Sequence, residues 1–162
     1  MRRIFLLVLS LCAAPAFAAK GHSHGEARLD VVIDKGQISL SLELPLDAAV
    51  GFERAPKSDK EKAALVAAEH TLKDTGLFVP TAAAQCSAQS VELQMPQFSG
   101  EHADFEATYR FQCAAPAALK GIETHLFKHF KRLYRIEAQR VGPMPGSQGK
   151  QRLTPKVPVL NW

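Results

Sequence analysis

The 162-residue chain carries 20 Lys and Arg against 16 Asp and Glu, a formal net charge of +4, with six histidines and three cysteines. That length fits one domain with a real core. It has no P-loop, no Gly-x-Ser-x-Gly elbow and no His-Glu-x-x-His, so enzyme chemistry finds no support and the chain reads as a non-enzyme.

Met1 to Ala18 has the build of a secretory signal peptide. Arg2 and Arg3 open it, Ile4 to Leu11 is apolar, and Ala16-Phe17-Ala18 offers small residues for cleavage. The apolar run is too short to span a bilayer, so no transmembrane segment is expected in the mature chain. Leu11 before Cys12 argues against a lipoprotein site. Cleavage after Ala18 leaves 144 exported residues, with 18 Lys and Arg against 16 acids. The basic charge is concentrated late: residues 119–162 hold nine Lys and Arg against Glu123 and Glu137. Two readings stay open for it, a solvated strand face or a surface that docks a protein or an anionic partner. Nucleic acid is disfavoured, because an exported protein rarely meets it and no aromatic stacking motif is present.

Residues 19–26 form a short polar arm containing His22, His24 and Glu26, and residues 27–162 read as one domain. Ala27 to Ile33 is rich in β-formers. Gln37 to Leu44 alternates, with Ile38, Leu40, Leu42 and Leu44 on one face, and Asp34-Lys35-Gly36 makes a hairpin turn between the two runs. Leu46 to Pro56 reads as irregular. Ser58 is a helix N-cap with Glu61 as its capping-box partner, and the helix is expected over about 58–75, ending at Gly76. Leu77-Phe78-Val79 returns the chain to the core.

Gln85 to Met95 and His102 to Cys113 read as a second antiparallel pair. After removal of the signal, Cys86 and Cys113 remain, an even pair in an oxidising compartment, which reads as one disulfide. It lies where such a hairpin brings its ends together, and closes a 27-residue separation. The alternative, two thiolate metal ligands, lacks any Cys-x-x-Cys spacing. Ala114 to Gly121 reads as a loop or single turn, and Ile122 to Phe130 fits a helix or a strand. Leu133 to Val141 looks like a strand with Tyr134, Ile136 and Ala138 inward. Gly142 to Gly146 is a loop, and Gln151 to Leu160 reads as a final edge strand confined there by Pro155 and Pro158. The fold class expected is α+β: an antiparallel sheet or sandwich with one main helix packed on it and one disulfide.

The order of these pieces resembles a known family. His22-Ser23-His24-Gly25-Glu26-Ala27 precedes the Leu29-x-Val31 strand. Gly51-Phe52-Glu53 and Ala55-Pro56 lead into a Glu/Ala helix. Cys86 is answered by His102-Ala103-Asp104-Phe105 and Tyr109-x-Phe111-x-Cys113, and Leu126-Phe127, Phe130 and Ile136-x-Ala138-Gln139 close the series. Together they look like the ZrgA-like periplasmic zinc-uptake proteins. The resemblance implies a bacterial periplasmic protein that binds zinc and assists its import, with a zinc transporter component of the inner membrane as partner. Two departures stand out. Arg54 occupies a place where the family often has histidine, and only Gln94 to Glu101 fills the position of a long His/Asp-rich insert.

Zinc takes imidazole, thiolate and carboxylate ligands, usually four in a tetrahedron. His22 and His24 are two apart on the arm, where Gly21 and Gly25 permit a turn that joins them, and Glu26 adds an oxygen. His102 and Asp104 share one strand face and complete the expected set. The competing reading is an arm of solvated histidines. His125 and His129 form a second candidate pair if their segment is helical, spaced to share one face. Cleavage after Ala19 would instead expose Lys20-Gly21-His22, whose amine, amides and imidazole make a nest for copper or nickel.

Overall fold

The computed structural model describes residues 24–99, 103–143 and 148–161. The signal segment, His22 and His102 lie outside these residues. The alternation of apolar residues dictates the main sheet. Strand β1 (Glu26–Asp34) buries Ala27, Leu29, Val31 and Ile33, and β2 (Gln37–Pro45) buries Ile38, Leu40, Leu42 and Leu44. Lys35 and Gly36, both at positive φ (47° and 84°), join them in the two-residue turn expected of a tight hairpin. β5 (Asp104–Cys113) adds Phe105, Ala107, Tyr109, Phe111 and Cys113 to the same buried face. Each fully buried Leu, Ile or Phe on it contributes about 1.5–3 kcal/mol.

With β4 (Cys86–Gln94), β7 (Arg135–Val141) and β8 (Gly149–Leu153) the sheet has six strands in the order β4-β5-β2-β1-β7-β8. β3 (Phe78–Pro80), β6 (Gly121–Thr124) and β9 (Val159–Asn161) form a second sheet, ordered β3-β6-β9. The core lies between one face of the large sheet and a cover that contributes Leu72, Leu77, Phe78, Ile122, Leu126, Phe130 and Leu160. The architecture is α+β and rich in antiparallel pairs, as the sequence predicts. One pairing is of another kind: β1 runs parallel to β7, from Glu26 opposite Arg135 to Val32 opposite Val141. No helix among the described residues is long and apolar enough to cross a membrane.

The main helix, α2 (Asp59–Leu72), starts where the sequence places it. The Ser58 hydroxyl accepts from the Glu61 N–H at 3.2 Å. The Glu61 carboxylate accepts from the Lys57 N–H and from both terminal nitrogens of Arg54. The Arg54 guanidinium holds the Glu61 carboxyl at about 2. Only Ala68 and Leu72 of the helix are buried, so its C-terminal end does the packing. There the Tyr109 hydroxyl, at the centre of the core, donates to the Leu72 carbonyl at 2.7 Å. The Tyr109 ring meets Phe78 edge-on, with centroids 4.8 Å apart.

Several local expectations need correction. The segment after Pro45 is not wholly irregular: α1 (Leu46–Val50) forms one short turn that buries Leu46 and Ala48. α2 stops at Leu72, and Gly76 is not its cap. Gly76 sits in a 3-10 turn whose N–H is taken by the Asp74 carboxylate at 2.8 Å. The ambiguous stretch divides into β6 and a single turn, α3 (Leu126–His129). Tyr134 is 51 % exposed rather than inward, because β7 begins one residue later. The expected last edge strand breaks in two. A Thr154–Val157 bridge turns the chain, sending β8 to the large sheet and β9 to the small one.

Cys86 and Cys113 face each other across the β4–β5 ladder and are bonded, as expected. Replacing both with serine should lower the unfolding free energy by about 3–4 kcal/mol in a denaturant titration, mainly by freeing the unfolded chain. Tyr109→Phe should cost about 1–2 kcal/mol in the same assay, because it strips a buried carbonyl of its donor.

Candidate metal centre

Three metal-type side chains meet where β1 begins. His24 lies two residues before the strand, separated from it by Gly25. Asp47 stands in the first turn of α1, which Pro45 allows to start directly at the end of β2. Glu53 follows Gly51, whose φ of 90° turns the chain off the end of α1. The His24 Nδ1 lies 3.0 Å from Glu53 Oε1 and 3.4 Å from Asp47 Oδ2. One ligand atom from each residue falls within 4.8 Å of the other two. Four ligands held about 2.0–2.2 Å from a zinc ion are about 3.3–3.6 Å apart along the edges of the tetrahedron. The 3.4 Å separation falls on that edge, while 3.0 Å is shorter, the length of an imidazole–carboxylate hydrogen bond.

Gly25 locks the arrangement. Its N–H donates to Asp47 Oδ2 at 3.1 Å, and its carbonyl accepts from the Tyr134 N–H at 3.1 Å. Its φ is 72°, and a Cβ there would stand 2.7 Å from the Tyr134 ring and 2.8 Å from the Arg132 carbonyl. Only glycine fits. The second carboxylate oxygen of Asp47, Oδ1, is buried without a hydrogen-bond partner. Such an atom is costly to bury unless something else supplies a positive group. The His24 side chain is 77 % exposed, against 19 % for Asp47 and 34 % for Glu53. The cluster is thus walled by carboxylates below and open above. Two carboxylates and one imidazole leave a fourth position for water or a further donor.

The other residues singled out from the sequence are placed differently. Glu26 turns its carboxylate away from the cluster, to the Tyr134 hydroxyl at 2.7 Å and to the Arg135 guanidinium. The Tyr134 hydrogen bond and the Arg135 cation lower its pKa below the ordinary value of 4.5. Asp104 is half-buried at the start of β5, opposite Pro45. Beside it the Ala103 carbonyl accepts from the Leu46 N–H at 2.9 Å, so β5 enters next to the turn that carries Asp47. His125 precedes α3 and directs Nε2 to Glu123 at 3.3 Å. Neither His125 nor His129 joins a group of three metal-type ligands among the described residues. Asp47 and Glu53 are the two members that sequence reasoning missed. The signal for Glu53 was present in Gly51-Phe52-Glu53, part of the resemblance. Asp47 reads simply as an acid favoured in a first helical turn.

The model of the ZrgA family zinc uptake protein matches residues 21–162. The chain belongs to this family. No curated protein matches it. The ZrgA family name implies a role in zinc uptake, and its match covers the arm from Gly21 and all three clustered residues.

The lowered pKa of Glu26 makes a testable contribution to stability. Its carboxylate is favoured in the folded state, so the stabilisation is complete above the unfolded value of 4.5 and lost as pH falls through the lowered folded value. Urea titrations between about pH 3 and 6 should therefore show a shallower acid-side fall in Glu26→Gln than in the parent.

Proposed function

We propose that this chain captures zinc in the periplasm and passes it to an inner-membrane importer, with His24, Asp47 and Glu53 as the core of the site. The observation that carries this is the convergence of one imidazole and two carboxylates, with ligand atoms within 4.8 Å of one another, in a member of a zinc-uptake family. Zinc is the cargo, and the protein acts as a carrier without catalysis. The signal-like segment at residues 1–18 supports export. His22, two residues before His24 in the sequence, and His102, with Asp104 two residues on, are the candidates for the fourth donor. An exposed imidazole and an open fourth position suit handover, because ligands exchange one at a time. Nickel and copper are the comparison metals, since imidazole suits them as well.

The rival reading, docking through the basic C-terminal third, has less behind it. Several of those cations already face acids: Arg135 faces Glu26 and Glu137, Arg152 faces Glu137, and Lys128 faces Glu123.

Titration calorimetry on the oxidised protein without its signal segment tests the capture reading. About one submicromolar zinc site is expected. His24→Ala and the double change Asp47→Asn with Glu53→Gln should each weaken it by about tenfold or more. Absence of zinc binding at tens of micromolar would end the proposal. Zinc binding that survives all three changes would move the site elsewhere.

A further inference from the structure

Tyr134 is a large aromatic side chain left 51 % exposed just ahead of β7, so the core does not account for it. Its contacts converge on the two residues that follow His24. The backbone N–H of Tyr134 holds the Gly25 carbonyl at 3.1 Å. The ring edge lies where a Gly25 side chain would be, with Cε1 at 2.7 Å and Cδ1 at 2.8 Å from that point. Its hydroxyl donates to Glu26 Oε1 at 2.7 Å. Arg135 faces the same carboxylate and places its guanidinium 5.9 Å from the centre of the Tyr134 ring. On the far side, the Gly25 N–H is bound to Asp47. The peptide units after His24 are thus gripped from both sides, although His24 itself stands outside the strand.

The geometry points to Tyr134 as a positioning residue that, through Gly25 and the Glu26–Arg135 pair, holds His24 over Asp47 and Glu53 before any metal arrives. This rests on the zinc-site reading above. The physical logic is preorganisation. A residue two positions outside a strand is normally free to fray. Ordering it at the moment of binding subtracts from affinity, whereas a residue held in advance does not. Tyr134 touches no cargo in this scheme. It acts by fixing the backbone from which a ligand projects, as outer residues do around many metal sites. The scheme also gives Glu26 a role other than ligation, as the anchor for the clamp.

Two measurements on Tyr134→Ala and Tyr134→Phe test it. In the metal-free protein, the Gly25 amide should exchange with solvent about tenfold faster in Tyr134→Ala than in the parent. With zinc, Tyr134→Ala should bind about tenfold more weakly, while Tyr134→Phe, which keeps the ring against Gly25, loses only about threefold. The melting temperature of the metal-free protein should fall slightly and alike in both variants, through loss of the hydrogen bond to Glu26. In a His24→Ala background, Tyr134→Ala should cause no further loss of zinc affinity, because the residue it positions is gone. Unchanged affinity in Tyr134→Ala overturns the proposal. So does an equal loss in the His24→Ala background, which would mark a general structural effect. If the parent binds no zinc at all, the zinc reading fails by itself. Gly25 exchange then decides the positioning claim: faster exchange in Tyr134→Ala supports it and unchanged exchange overturns it.

Discussion

The parallel pairing of β1 with β7 is the constraint on which the rest depends. β1 has its hairpin partner β2 on one side, a neighbour only a two-residue turn away. On the other side it must find β7 about a hundred residues later, and the first rung of that ladder sets Glu26 opposite Arg135. The same rung fixes Gly25, since Tyr134 reaches its carbonyl directly from the residue before β7. A slip of one residue would turn Leu29 and Val31 out of the core and Arg28 and Asp30 into it. The hydrophobic face therefore specifies the register, and the register carries His24 to its place. Stability and site are coupled through the beginning of one strand.

Much of this fold is legible in the chain because the signals are local. Alternation marks β1, β2 and β5, Lys35-Gly36 marks the turn, and Ser58 with Glu61 marks the start of α2. The disulfide follows from a hairpin whose ends carry the two cysteines left after the signal. What is illegible is either too short or too distant. α1 has five residues, fewer than two turns, so a 3.6-residue period has no room to appear. The β1–β7 pairing leaves no mark in either strand, because parallel partners share no turn. Tyr134 was drawn inward by its place in an alternating run, yet its hydroxyl and ring are used at the strand's edge. The two prolines near the end restrict the chain there, and they divide the expected strand between two sheets.

The centre was half legible for the same reason. His24 stands out as a histidine on a short arm. Its partners come from a turn and a loop that follow β2, and only the tertiary path from Pro45 through Gly51 to Glu53 brings them to it. Asp47 illustrates why carboxylate ligands are hard to read. Its sequence setting explains it completely as a first-turn acid, and nothing local announces that its carboxylate also accepts the Gly25 N–H and leaves a buried Oδ1 unpartnered. A site of two carboxylates and one imidazole also balances its own charge against a divalent cation. It presents fewer soft donors than a thiolate site and so fits reversible capture better than permanent retention.

Arg54 closes the argument about how far the family pattern applies here. Where relatives often carry histidine, this chain has a guanidinium that faces Glu61 and lies 5.5 Å from the centre of the Phe52 ring. That residue serves the start of α2 and leaves the cluster to Glu53 next to it. The long His/Asp-rich insert is absent as well, so the surplus ligands that would buffer many ions are not there. What remains is a small site whose strength depends on how well its few ligands are held. On the zinc-capture reading, the backbone contacts around Gly25 supply that hold. With few donors, affinity must come from geometry.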